Sequence, residues 1–207
     1  LMKTSTAELF SRAYDALQSA SSVRYISSVD RTLLADGTYF VIEADDGLVA
    51  SGGWSRRGKL YTGSGDAGDD ARLIDPRTEP ARIRAMFTRP DWTRRGLGTR
   101  ILEACEAAAK AEGFSAMILV ATLPGVPLYA RYGFREVERR SHARRREHRV
   151  CNDDQAHRLT PRSSATWVGF WAASGAWPRP ARDEPPRHSS TVRRPPIESE
   201  WKAQKKE

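Results

Sequence analysis

The segment Pro90-Asp91-Trp92-Thr93-Arg94-Arg95-Gly96-Leu97-Gly98-Thr99-Arg100 constrains this chain most, because it joins an extended apolar run, Ile83 to Phe87, to a helical one, Ile101 to Glu112. A strand hands over to a helix across two glycines and two arginines. The start of a helix leaves backbone N–H groups without acceptors and carries the positive end of a dipole, and glycine lets an anion approach them without a Cβ in the way. The pattern predicts a cradle for a pyrophosphate. A P-loop is excluded, since it needs G-x-x-x-x-G-K-[ST] with a lysine for the terminal phosphates. A dinucleotide fingerprint fits poorly: Gly96-Leu97-Gly98 lacks the third glycine, and the place for an acidic residue about 20 residues on falls in the apolar run Ala116 to Val120.

The neighbouring residues organise themselves around that loop. Tyr39 to Ala44 and Leu48 to Gly53 are β-rich runs separated by Asp45-Asp46-Gly47, which predicts an antiparallel hairpin. Leu97, Ile101, Cys105 and Ala108 recur at helical spacing, with Leu102 and Ala109 beside them. Arg100, Glu103, Glu106 and Lys110 take the other side, and Gly113 stops the helix. Ala116 to Thr122 is an apolar run of strand length, as expected of a parallel neighbour buried on both faces. Strand, crossover helix and parallel strand follow in order.

From about Asp30 to Arg140 the chain resembles the GNAT superfamily of N-acyltransferases, whose acyl-CoA loop reads [Q/R]-x-x-G-x-[G/A]. The likeness runs through Gly37 to Ala44, Gly47 to Trp54 and the loop. It ends at Ala121 to Phe134, with its Tyr129-x-x-x-Gly133-Phe134 close. One departure lies in the loop, where Thr93 stands at the family's glutamine or arginine. The resemblance implies a mixed α/β fold with a mostly antiparallel, splayed sheet flanked by helices, acetyl-CoA as cosubstrate without a metal, and a small-molecule or peptide amine as acceptor. It also implies roles for particular residues. Met86, Phe87 and Thr88 would supply backbone contacts to the acyl and pantetheine groups. Arg94, Arg95, Gly96, Leu97, Gly98 and Thr99 would hold the pyrophosphate, and Tyr129 would protonate the departing thiolate. Tyr129 also admits a purely structural reading as a packed aromatic on a short helix. Trp54, Ser55, Arg56 and Arg57 line the acceptor side or form an ordinary strand edge. Trp92 reads as loop packing and Cys105 as a small buried hydrophobe. For a general base there is no histidine in residues 1–140, which leaves Asp75, Glu79, Glu43 or an ordered water.

The charge of the 207-residue chain separates two kinds of polymer. Residues 1–140 carry 20 basic against 18 acidic side chains and residues 141–207 carry 14 against 8, so most of the net +8 lies in the tail. Residues 1–140 therefore read as the GNAT-like domain and 141–207 as a basic extension rich in Pro, Arg and Trp. Arg135 to Arg140 reads as the first of two closing strands, and no partner strand is evident after Ser141. The readings open for the tail are a frame shift in the encoding DNA near Ser141, a disordered extension, a nucleic-acid arm, and a cover for an open sheet edge in which Trp167, Phe170, Trp171 and Trp177 take part. Nucleic acid is the disfavoured partner. At the other end the chain runs straight into a helical pattern of Leu9, Phe10, Ala13, Tyr14 and Leu17, without the strand that usually precedes it in similar proteins. Two cysteines give no disulfide framework, and no segment reads as a signal peptide or membrane span, so a cytoplasmic protein is expected. A homodimer stays open, as does an acyl-CoA-binding remnant that lacks turnover.

Overall fold

Asp45 and Asp46 reverse the chain between Tyr39–Ala44 (β1) and Gly47–Ser55 (β2), which pair antiparallel as the turn signal between two β-rich runs predicts. The computed structural model describes residues 1–60, 70–142, 166–174 and 191–195, with the backbone alone considered for 138–142 and 166–174. Ala81–Thr88 (β3) lies antiparallel to β2, and Ala116–Thr122 (β4) lies parallel to β3. Between them Leu97–Ala111 (α4) crosses over, burying Leu97, Ile101, Leu102, Cys105 and Ala109 against the sheet. The helical spacing of the apolar residues thus becomes the inner face of one layer. Burial alternates along β4, with Met117, Leu119 and Ala121 buried and Ile118 and Val120 half-buried. It therefore differs from the expectation of a strand covered on both faces, because Val120 and Thr122 face a cavity.

The opposite face of the sheet is covered by three short helices, Met2–Phe10 (α1), Ala16–Tyr25 (α2) and Arg31–Ala35 (α3). The single helical pattern expected through Leu17 is broken. Asp15 caps α2 through a reciprocal capping box with Gln18, and Leu17 is exposed. An Asp side chain that accepts from the third amide of a new helix starts that helix, whatever the apolar spacing upstream. Leu33, Tyr39 and Val41 make a small apolar cluster on this face, while the larger one lies under α4.

The region read as a basic extension supplies two strands, Thr166–Ser174 and Thr191–Arg193. Arg135–His142 (β5) forms as expected, and Thr166–Ser174 (β6) lies antiparallel between β4 and β5. The expectation that no partner strand follows Ser141 is thereby corrected. At the far edge Thr191–Arg193 (β7) pairs antiparallel with β1. Arg193 binds Glu43 at 2.6 Å, and the Arg194 guanidinium lies 5.5 Å from the Phe40 ring centroid. The sheet order is β5-β6-β4-β3-β2-β1-β7, with β3–β4 its one parallel pairing among the described residues. The tail's other readings fall mostly outside the described residues, Trp177 and Cys151 included.

This topology carries a prediction. A chain ended after Arg140 leaves β4 with an open edge and β5 with no sheet neighbour, so it should lose the cooperative thermal transition of the full chain. Calorimetric scanning of both chains tests this, and matching transitions would contradict it.

Candidate functional site

The parallel pair β3–β4 is hydrogen-bonded only from Ala81 to Ile83 on one strand and Met117 to Leu119 on the other. Beyond Ile83 the strands part, and the backbone of β3 from Arg84 to Thr88 has no neighbour on that side. An irregularity in β3 marks the parting point. Ala85 takes φ +54°, and the β2–β3 register shifts between Ser51 and Gly53. The bulge places two consecutive residues, Arg84 and Ala85, toward the α1–α3 side, where strict alternation would have separated them. Met86 then returns to the α4 side. Gly52 makes room for it, since a Cβ there would stand 2.2 Å from the Met86 sulfur.

Arg84 is the buried anchor of this bulge. Its side chain is 1% exposed and reaches Asp30 at 2.6 Å and Asp70 at 2.9 Å. Asp30 also accepts from Leu33 N–H at the start of α3, and Asp70 accepts from Thr32 Oγ1. Burial works to raise the Asp70 carboxyl, but the hydrogen bonds from Arg84 and Thr32 and the charges of Arg84 and Lys59 outweigh it and hold it below the usual carboxylate range. Sequence reasoning passed over Arg84, because an arginine inside an apolar strand signals a partner without naming it.

The parted strands open into a cavity of about 530 Å³. Phe87, Thr88, Arg94, Gly96, Leu97, Gly98, Thr99 and Tyr129 all line it, so the structure brings these sequence candidates together. Arg95 lies outside the lining, its guanidinium 4.4 Å from the Trp92 ring centroid and its Nη2 donating to the Asp91 carbonyl. Trp92, read as loop packing, lines the cavity and has Arg89 near its ring as well.

The loop owes its shape to two backbone positions in the left-handed region, Arg94 at φ +65° and Gly96 at φ +73°. Gly96 starts α4, and Arg100 N–H donates to the Gly96 carbonyl as the first helical bond. The amides of Leu97, Gly98 and Thr99 then stand in the first turn, which has no acceptors within the helix. Gly98 has a different reason to be glycine. A Cβ there would stand 2.6 Å from Leu128 Cδ2, so α4 approaches the next helix at this point. Gly98→Val should displace the Leu128 side chain that packs on the start of α4 and weaken binding of a diphosphate ligand by roughly tenfold, on the scale of an overpacked site. Titration calorimetry of the variant checks this.

Tyr129 sits on Val126–Tyr132 (α5), a short helix ended by Gly133 at φ +104°. Gly133 N–H donates to Ala130 O, Phe134 N–H donates to Tyr129 O, and the Phe134 ring meets the Tyr129 ring edge-on at 5.9 Å. The Tyr-x-x-x-Gly-Phe spacing is thus a helix-ending motif whose last residue packs on the first. Its effect is to fix the ring of Tyr129, which also lies against Gly125, where a Cβ would be 2.8 Å from Tyr129 Cε2. Burial pushes the Tyr129 phenol pKa up from the ordinary value of 10.0. Cys105 is fully buried and its thiol is likewise pushed up, in keeping with a small hydrophobe.

Other sequence candidates lie elsewhere. Trp54 is fully buried against Phe114, Arg56 pairs with Glu112 and Arg57 with Asp36, so residues 54–57 hold the fold and do not line the cavity. Asp75 binds Arg77, Glu79 binds Arg72 and Glu43 binds Arg193, all outside the lining. Hydrogen bonds hold two of these carboxyls below their ordinary values, Asp75 through the Arg77 amide first and Glu79 through the Arg72 side chain first. The wall sequence reasoning missed comes from α1 and α2, with Leu9, Phe10, Ser22 and Ile26, and from Tyr14 between them. Tyr14 was legible only as part of an apolar spacing. In the structure its oxygen accepts from Leu123 N–H at 2.8 Å, tying the α1–α2 turn to the end of β4.

A model of the acetyltransferase (GNAT) domain family matches residues 35–136. Among solved structures the fold is similar to the PaiA N-acetyltransferase of Thermoplasma acidophilum in complex with coenzyme A, at 12% identity and a TM-score of 0.51, over 84% of this chain and 88% of that one. It is also similar to a GCN5-related N-acetyltransferase of Rhodopseudomonas palustris, at 14% identity and a TM-score of 0.52, over 84% of each chain. No curated protein matches the sequence. Among the described residues no helix is long and apolar enough to cross a membrane.

Proposed function

This chain belongs to the GNAT superfamily through an acetyltransferase domain at residues 35–136, and on that premise we propose that its cavity transfers an acetyl group from acetyl-CoA directly to a primary amine. The observation that carries the reading is the meeting of the glycine loop, the unpaired stretch of β3 and Tyr129 on one cavity. The cavity fits the cosubstrate in its chemistry. First-turn amides of α4 and the Arg94 side chain suit a diphosphate, and unpaired backbone groups of Met86 to Thr88 suit an amide-bearing arm and a thioester carbonyl.

In the transfer, the amine nitrogen bonds to the carbonyl carbon, the carbon–sulfur bond breaks, the amine proton passes to water, and the sulfur leaves as thiolate. Tyr129 faces that sulfur. A phenol held above 10 by burial keeps its proton more tightly than a thiol with a pKa near 8.5, so it stabilises the thiolate as a hydrogen-bond donor and does not surrender its proton at equilibrium. The same burial sets the pH dependence. The rate should rise as the amine loses its proton and should not fall again below pH 10, which a kcat profile between pH 6 and pH 10 checks.

Completion of the sheet by β6 takes away the structural ground for a remnant without its closing strand. Calorimetric titration with acetyl-CoA, followed by a thiol-release assay over a panel of amines, tests the reading. Binding with release supports it. Binding without release from any amine would favour the remnant, and no binding would remove the assignment.

A further inference from the structure

We infer, resting on the reading above, that the acceptor is a small primary monoamine with an apolar, aromatic body, and that polyamines and other polycationic amines are rejected. The α1 helix packs on β3 and reaches both short turns that flank the parted strands, Pro90–Trp92 and Leu123–Gly125, so its inner face closes the cleft on the side away from α4. From this layer Leu9, Phe10, Tyr14 and Ile26 line the cavity. The Phe10 and Tyr14 rings stand 5.2 Å apart at 50°, forming an aromatic wall fixed by the Tyr14 bond to Leu123 N–H. A flat apolar body gains there what a hydrated chain of methylenes and ammonium groups does not.

Charge points the same way. Among the described lining residues the charged ones are Arg84, Arg94 and Arg131. The carboxylates behind the wall, Asp30 and Asp70, are already bound to Arg84, and Lys59 lies 3.8 Å from Asp70. Arg84 is thus neutralised and Arg94 is taken by the diphosphate, so a second ammonium group on the acceptor would give up its hydration among these lining residues without a free carboxylate to replace it. A monoamine loses its single proton, as the transfer requires in any case.

The test uses the full chain with acetyl-CoA and three amines, 2-phenylethylamine, spermidine and ethanolamine, read by CoA release at matched free-base concentrations. The expected kcat/KM for 2-phenylethylamine exceeds that of the other two by roughly tenfold or more, the factor that burial of one phenyl ring corresponds to. Leu9→Glu, at a half-buried wall position, should lower the value for 2-phenylethylamine and raise it for spermidine. Equal or greater turnover of spermidine or ethanolamine would overturn the inference and leave the transferase reading standing. Failure of acetyl-CoA to bind in the parallel calorimetric titration would overturn both.

Discussion

Tyr129→Phe should lower kcat by roughly 100-fold, the lower range for removing one hydrogen-bond donor to a developing negative charge, while the KM for acetyl-CoA changes little. The ring stays because its setting is apolar. It is held by Phe134, by the close approach of Gly125 and by the turn that ends α5 at Gly133. Only the hydroxyl is lost, so thermal stability should move by less than about 1 kcal/mol. This contrast separates the two readings of the Tyr-x-x-x-Gly-Phe spacing. A residue kept for packing alone would leave kcat intact in the Phe variant. Steady-state kinetics beside a thermal melt decides it, and an unchanged kcat would return Tyr129 to the core.

The second large effect is on folding. Arg84→Met leaves Asp30, 3% exposed, and Asp70 without their shared cation, and removal of one partner from a buried ion group costs about 3–5 kcal/mol. The damage is local before it is global. Arg84 holds the bulge at which Ala85 occupies a left-handed conformation, and such a position persists only where its surroundings fix it. The acid response should change as well. Asp70 has its carboxyl lowered in the folded chain, so its contribution is present above the ordinary value of 3.8 and is lost as pH falls through that region and below. In Arg84→Met that loss should shrink. Urea unfolding at pH 7 and pH 3 measures both, and a variant as stable as the parent at pH 7 would show that the Asp30–Arg84–Asp70 group does not anchor the strand.

The hairpin, the crossover helix and β4 were legible because local chemistry states them. A turn of Asp45-Asp46-Gly47, an apolar stripe from Leu97 to Ala109 and an apolar run of seven residues each imply one element. The glycine loop was legible for the same reason, and the structure adds that Gly96 and Gly98 are glycine for different causes, one a backbone angle and the other a contact with Leu128. Three features were hidden. β6 is the run TWVGFWAAS, strand-like in its own Trp, Val and Phe content, but it is set among Arg, Pro and Ser and was read only as an apolar cluster; β4 and β5 give it its place as a strand. The Arg84 group joins residues 30, 70 and 84, whose proximity exists only after folding. The aromatic wall of the cavity combines Phe10, the last residue of α1, with Tyr14 in the turn that the Asp15 cap ends, a local signal that the longer apolar spacing masked.

If the proposed function holds, one cavity carries an acyl-CoA by the start of α4 and sets the Tyr129 hydroxyl at its sulfur. A crystal structure of the full chain with CoA tests it most directly. The diphosphate should lie against the amides of Gly96 to Thr99, and the sulfur within hydrogen-bond reach of the Tyr129 oxygen. CoA bound away from the parted strands, or a Tyr129 hydroxyl turned from the sulfur, would contradict it.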